Sequence, residues 1–299
     1  MAPHPGDKAY DYTIRMFASI GPKLRSPEKK IADLNTMGLD MTILSIAPTQ
    51  FFYSLEGNLA SPVCVLQNDR IASIVHTYPD RFAGMATVPL QDVPAALREL
   101  RRIIEELELS GVEIGSNVNG RPLGDPIYLP FFEKVRELDV PIYIHPHNPA
   151  GLDRLRDYYF MNVIGFPLET TLTAGSLIFS GMLDRVPGLK IILAHGGGYL
   201  PYLIGRMDHA FKTRPECRDI RKPPSEYLKT FYYDTVTHGP SQLQFLLSIV
   251  GADHVVIGTD YPYDMGDLQP LETLHAVDGL TPEDEAKITG INAQELFKI

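Results

Sequence analysis

Along the chain, short apolar runs alternate with longer stretches in which apolar positions recur at helical spacing. Residues 41–46, 82–88, 111–115, 140–145, 189–194, 231–236 and 254–257 are mostly apolar, aromatic or β-branched. Such runs suit strands buried on both faces of a parallel sheet. Between them, Ser26-Pro27-Glu28 reads as a helix start, with a capping Ser and Pro at the first helical position. Its helix carries Ile31, Leu34 and Met37 and ends near Gly38. Further helices are expected over about 58–78, from Asp92 onward (Leu97, Leu100, Ile103, Ile104, Leu107), over 126–138 and roughly 168–184, near 199–212 and near 240–250. The tail from Thr281 to Phe297 reads as helix broken at Gly290. Residues 1–26 contain Pro3, Pro5, Gly6 and Gly21-Pro22 and are expected to be an irregular N-terminal segment. No repeat or linker interrupts the alternation, so residues 1–299 read as one domain.

Several of these runs end in polar chemistry. Residues 140–144 lead into His145-Pro146-His147, residues 189–194 into His195-Gly196-Gly197-Gly198, and residues 254–257 into Gly258-Thr259-Asp260-Tyr261-Pro262. Asn117 and His238 also follow strand runs. In a closed α/β barrel the carboxyl ends of all strands converge on one mouth. An open doubly wound sheet would spread them along an edge, and no glycine-rich GxGxxG opens a helix near the start. The reading is therefore an α/β, (β/α)8 TIM-type barrel. Seven strands are found where eight are needed, and the first is expected to be missing or atypical.

Composition narrows the partners. At 299 residues and 44% hydrophobic content the chain can bury a large core, and its formal charge of −10 argues against a nucleic-acid partner. No stretch is apolar enough for a membrane span, and the first residues lack the apolar region of a signal peptide. Cys64 and Cys217 match no zinc or CxxC spacing and read as free thiols of a reducing, cytoplasmic compartment.

Each candidate has a plainer reading. A lone strand-end His is often a core residue bonded to a backbone carbonyl, but His145 has His195 and Asp260 in matching positions, which favours a metal ligand. His195 before three glycines favours a general acid/base or a ligand over a tight turn. Asp260 at the end of a buried strand needs a cation or a metal. His147 reads as a loop or pocket-wall residue, and Asp264 and His238 are second-rank. Arg206, eleven residues after His195 and beside Asp208 and His209, reads by itself as a surface charge. The aromatic residues at 51–53 and 231–233 read as core or pocket wall.

With His145, Ala194-His195-Gly196-Gly197-Gly198 and Gly258-Thr259-Asp260-Tyr261-Pro262 set side by side, the chain resembles the amidohydrolase superfamily. It is most similar to the aminocarboxymuconate-semialdehyde decarboxylase branch, from about residue 27 to the end. Asn68-Asp69, Tyr78-Pro79-Asp80-Arg81-Phe82, residues 111–120, residues 165–171, Gly205-Arg206-Met207-Asp208-His209, Asn292-Ala293 and Leu296-Phe297 share in the likeness. The resemblance implies a distorted barrel with a divalent metal at its mouth, zinc first and manganese second. His145 and Asp260 would be metal ligands, and His195 would handle the proton or hold the metal-bound water. Arg206 would reach into a neighbouring subunit's site and bind a substrate carboxylate, which implies a homodimer; Asn117 is the other substrate-binding candidate. The implied reaction is non-oxidative loss of CO2 from a small unsaturated or aromatic carboxylic acid.

One departure stands out. The family opens with a strand carrying a His-x-His pair of ligands, and this chain has none; His4 lies between two prolines. The expectation is that the chain begins just downstream of that strand and holds its metal loosely. Two further readings stay open: a metal-dependent hydrolase of a lactone or amide, and an inactive homologue that has lost its metal.

Overall fold

The computed structural model describes residues 8–299, with side chains from residue 11 onward. His4 lies outside the described residues. Of the segment 1–26 expected to be irregular, residues 1–7 lie outside the described residues, and the rest is corrected: a helix, α1 (Lys8–Arg25), runs there. Pro22 forfeits one i→i−4 bond there, but Lys, Ala, Met, Arg and Leu among its neighbours are good helix formers and carry the turn. α2 (Pro27–Met37) starts as expected, with the Ser26 hydroxyl accepting from the Lys29 amide, and ends at Gly38 in the left-handed conformation.

Seven parallel strands follow, each paired with the next along the chain. They are β1 (Thr42–Leu44), β2 (Phe82–Ala86), β3 (Gly111–Gly115), β6 (Ile142–His145), β7 (Ile191–Leu193), β8 (Phe231–Asp234) and β9 (Val255–Val256). A small antiparallel hairpin, β4 (Asn117–Val118) with β5 (Arg121–Pro122), follows β3. Helices α3 (Gly57–Thr77), α4 (Val93–Glu105) and α5 (Leu129–Glu137) make the first three crossovers. The helix expected over 168–184 is two, α6 (Phe166–Phe179) and α7 (Met182–Arg185), divided at Gly181 with φ 71°. α8 (Leu200–Thr213) and α9 (Pro240–Val250) complete the set. The chain closes with α10 (Pro270–His275), α11 (Pro282–Ala286) and α12 (Asn292–Phe297). The tail is not broken at Gly290: a π-helical turn, Lys287–Ile291, carries α11 into α12. This winding of strand and helix is that of a parallel barrel. Among the described residues the sheet has seven strands, with β1 and β9 at its two edges.

Alternation along the strands sorts the core. Ile142, Ile144, Ile191, Leu193, Phe231, Tyr233 and Val255 face the helices in the large outer core. Tyr143, Ile192, Tyr232 and Val256 belong to a second cluster on the other face, with Met85 and with Leu296 and Phe297 of α12. Register then aligns the strand ends: Gly115 lies opposite His145, Ile144 opposite Leu193, Leu193 opposite Tyr233 and Asp234 opposite Val256. His145 and Asp234 therefore stand at one level, the upper end of the inner face.

Several motif residues are fold clamps. The fully buried Asn68 amide donates to Thr87 O and Glu99 Oε1, and its oxygen accepts from the Thr87 amide. Asn292 donates to Ala252 O and Val255 O and so ties α12 to β9. Both cysteines are free. No helix among the described residues is long and apolar enough to cross a membrane.

Candidate active site

The strand ends bring His145, His195 and Asp260 together, with one ligand atom from each within 4.8 Å of the others. His145 closes β6 and is buried. Its Nδ1 lies 2.9 Å from Pro146 O, so Nδ1 carries the hydrogen and Nε2 keeps its lone pair. Burial, and next the neighbouring His195, push its pKa down to about 4. The ring is neutral at ordinary pH, the form that binds a metal.

His195 sits just past β7, where the chain turns through four successive left-handed residues: His195, Gly196, Gly197 and Gly198 have φ of 57°, 59°, 77° and 63°. Its ring lies edge-on to His145, centroids 5.2 Å apart. Nε2 is 3.8 Å from Asp260 Oδ2, a charge contact longer than a hydrogen bond. Burial lowers the His195 pKa, but the carboxylates of Asp260 and Asp234 outweigh it and the net direction is up. Its Nδ1 is buried with no hydrogen-bond partner.

Asp260 is held at φ 50° by a loop closed with backbone hydrogen bonds. Its carbonyl accepts from the Tyr263 amide, and Asp267 N donates to Thr259 O. Tyr261 OH reaches back 2.6 Å to Asp33 on α2. The rim comes from the segment before α6, where Tyr159 OH donates to Asp264 and Phe166 packs edge-on against His145. That segment ends in a π-helical turn, Met161–Gly165. On the other side His147 stands edge-on to Phe51 and Tyr53, a wall residue as expected.

The donor set suits a divalent cation. Two imidazoles and a carboxylate are ligands of zinc and related metals. The free Nε2 of His145 and the unpartnered Nδ1 of His195 leave ring nitrogens that the protein itself does not satisfy.

Comparison with known proteins gives the family. A family model described as Amidohydrolase matches residues 20–299. The chain belongs to the amidohydrolase family. This amidohydrolase is 37% identical over 285 residues to a 2-amino-3-carboxymuconate-6-semialdehyde decarboxylase of Dictyostelium discoideum, covering 95% of the chain and 79% of that protein. It is 33% identical to the gamma-resorcylate decarboxylase of a Polaromonas species, over 93% of the chain and 90% of the relative. A Polaromonas dihydroxybenzoic acid decarboxylase, solved with bound manganese and the inhibitor 2-nitroresorcinol, superposes with a TM-score of 0.84 at 29% identity. That match covers 95% of the chain and 92% of the solved protein.

Three further candidates of this amidohydrolase lie outside the His145, His195 and Asp260 cluster. Asn117 is buried, and its amide donates to His147 O at 2.6 Å and Glu169 Oε1 at 2.8 Å, while its oxygen accepts from the Gly120 amide. It fastens the loop after β3. Arg206 is exposed on α8, with no ion pair to its guanidinium among the described residues. His238, with φ 59°, is exposed on the loop after β8.

Sequence reasoning missed two acids of the inner face, Asp234 and Glu113. Glu113 is 1% exposed, opposite Tyr143 in the register, and its Oε2 has no partner. Burial raises its pKa to about 8, a hydrogen bond from Ser45 working against the rise and the charge of Asp260 adding to it. The folded protein thus binds a proton here that the unfolded chain releases near pH 4.5. Stability should fall as pH climbs from about 4.5 to about 8 and then level off. Glu113→Gln should flatten that part of the curve and stabilise the protein at pH 8 by on the order of a few kcal/mol. Urea unfolding at pH 5 and pH 8 measures it; an unchanged slope in the variant would show that Glu113 is ionised in the fold.

Proposed function

We propose that this amidohydrolase is a metal-dependent, non-oxidative decarboxylase of a small aromatic or unsaturated carboxylic acid. The observation that carries the reading is the meeting of His145, His195 and Asp260 at one barrel mouth, in a chain whose relatives are decarboxylases. His145 and Asp260 would hold the cation. Zinc is the proposed ion because imidazole and carboxylate donors suit it; manganese, bound in the solved Polaromonas relative, is the alternative. When bound, the cation polarises a substrate oxygen so that negative charge can develop on the reacting carbon.

His145 Nε2 and the Asp260 carboxylate would be spent on the cation, and Phe166 and Tyr159 at the rim would cover the substrate and exclude water. The bond to the carboxylate carbon breaks, CO2 leaves, and the electron pair stays on the ring or chain carbon. That carbon takes a proton from His195 Nε2, and solvent restores the proton to the imidazole. The protein is proposed to act in the cytoplasm. The test is a panel of hydroxybenzoates and muconate-type acids with zinc- or manganese-loaded protein: CO2 is expected from at least one. Opening of lactones with no CO2 from any acid would make it a hydrolase instead, and no turnover by a metal-loaded protein would favour an inactive homologue.

Arg206 is proposed to bind a substrate carboxylate in the partner subunit of a homodimer, since its fork is exposed and unpaired. Arg206→Ala should lower kcat/KM by about 10- to 100-fold, as expected for loss of a charge-assisted hydrogen bond, with fold and metal content intact. Mixed with His145→Ala protein it should regain activity, because one hybrid site keeps both residues. Absence of rescue after subunit exchange would place a complete site within each chain.

A further inference from the structure

The mechanism leaves unused the best-connected acid near the site. Asp234 ends β8, is 2% exposed, and has no cation within ion-pair distance among the described residues. Its carboxylate instead accepts four hydrogen bonds. Oδ2 takes the His195 amide at 3.0 Å and Tyr143 OH at 2.8 Å. Oδ1 takes the Gly196 amide at 2.9 Å and the Val236 amide at 3.1 Å. Two carboxylate oxygens offer about four acceptor sites, so the group is saturated.

Two of the four donors belong to the turn that carries the His195 ring. A histidine at φ 57° is uncommon and needs its surroundings to hold it there. The amides of His195 and Gly196 both point at one carboxylate, which is how a turn of successive left-handed residues presents its N–H groups to an anion. The segment after β9 makes room: a Cβ on Gly258 would come 2.8 Å from Asp234 Cβ. Tyr143 locks the carboxylate from the other side and joins β6, the strand of His145, to β8 and to the His195 turn in one network.

We propose that Asp234, with Tyr143 behind it, is a positioning residue that sets the place of the His195 imidazole against His145 and Asp260. This rests on the reading of His195 as the group that handles the proton. Asp234 touches neither substrate nor reacting atoms; it acts through the backbone of His195. A misplacement of about 1 Å in a reacting group costs on the order of 100-fold in rate, so the clamp should appear in kcat rather than in KM.

The experiment compares Asp234→Asn and Tyr143→Phe with the parent, all metal-loaded. Asparagine puts an NH2 where one pair of donors points, so one side of the clamp opens. Asp234→Asn should lose about 30- to 100-fold in kcat with KM within about twofold, and Tyr143→Phe, which removes one donor of four, about three- to fivefold. Alongside, 15N-histidine NMR should show the His195 ring signals, assigned with His195→Ala, shifted in Asp234→Asn while those of the remote His209 and His275 stay in place. A variant that melts earlier yet keeps the parent's kcat and His195 signals would make Asp234 a purely structural residue and overturn the proposal. The NMR comparison needs no turnover, so it decides the matter even if the decarboxylase reading fails. Should Asp234→Asn not fold, Tyr143→Phe decides by the same measurements: unchanged kcat and unchanged His195 signals overturn the proposal.

Discussion

Asp260→Asn is expected to lower kcat/KM for CO2 release by roughly 10²- to 10⁴-fold, the range that corresponds to losing several kcal/mol of transition-state charge stabilisation. The substitution is nearly isosteric, and Asn accepts the left-handed backbone of residue 260 as readily as Asp does. The bonds from the Tyr263 amide to Asp260 O and from the Asp267 amide to Thr259 O are backbone contacts and survive. What disappears is one negative charge facing His195 Nε2 at 3.8 Å and the anionic member of the three-residue donor set. Bound zinc or manganese, measured by elemental analysis after dialysis, should fall with the rate, while the melting temperature of the metal-free protein changes little. A variant that keeps its metal and works within tenfold of the parent would remove Asp260 from the site and with it the metal-centred reading.

How far the sequence revealed this site depended on where each residue's partner lay. The seven strands and the crossover helices were visible because each carries its own period. His145, His195 and Asp260 were visible because each ends an apolar run, and a polar residue there has one natural place in a barrel. The N-terminal helix was obscured by Gly21-Pro22, a pair that punctuates most chains but here sits within the last turns of α1. Asp234 and Glu113 were hidden for a different reason. Each is a single acid inside an apolar run, and only the register shows that Glu113 stands beside Tyr143 and that Asp234 stands at the level of His145. The signal was present, since a charge buried in a strand demands a partner, but its partners come from other strands. Asn117 was legible as a polar residue after a strand, but its bonds to Glu169 and His147 O, which lie 30 to 52 residues further on, were not.

The glycine run after His195 supplies the largest stability effect. Gly198 has φ 63° and ψ −126°, a conformation open essentially to glycine alone. A Cβ there would lie 2.2 Å from Pro167 O and 3.0 Å from Thr171 Oγ1. Neither can retreat cheaply: Pro167 O accepts from the Thr171 hydroxyl, which accepts from the Tyr199 amide at 2.8 Å, so the turn is pinned to the first turn of α6. Gly198→Ala therefore combines backbone strain with a clash against main chain and should cost about 3–5 kcal/mol. That is a fall in melting temperature on the order of 5–10 °C. Activity per folded molecule should fall too, because relief of the clash moves His195 three residues away. Gly205→Ala is the comparison: nothing lies within 4 Å of its would-be Cβ on α8, and alanine there should be neutral or stabilising by about 0.5–1 kcal/mol. Calorimetric melts of the two variants side by side test the argument. A Gly198→Ala protein that melts with Gly205→Ala and keeps full turnover would show that the turn relaxes freely, and the clamp on His195 would lose its structural basis.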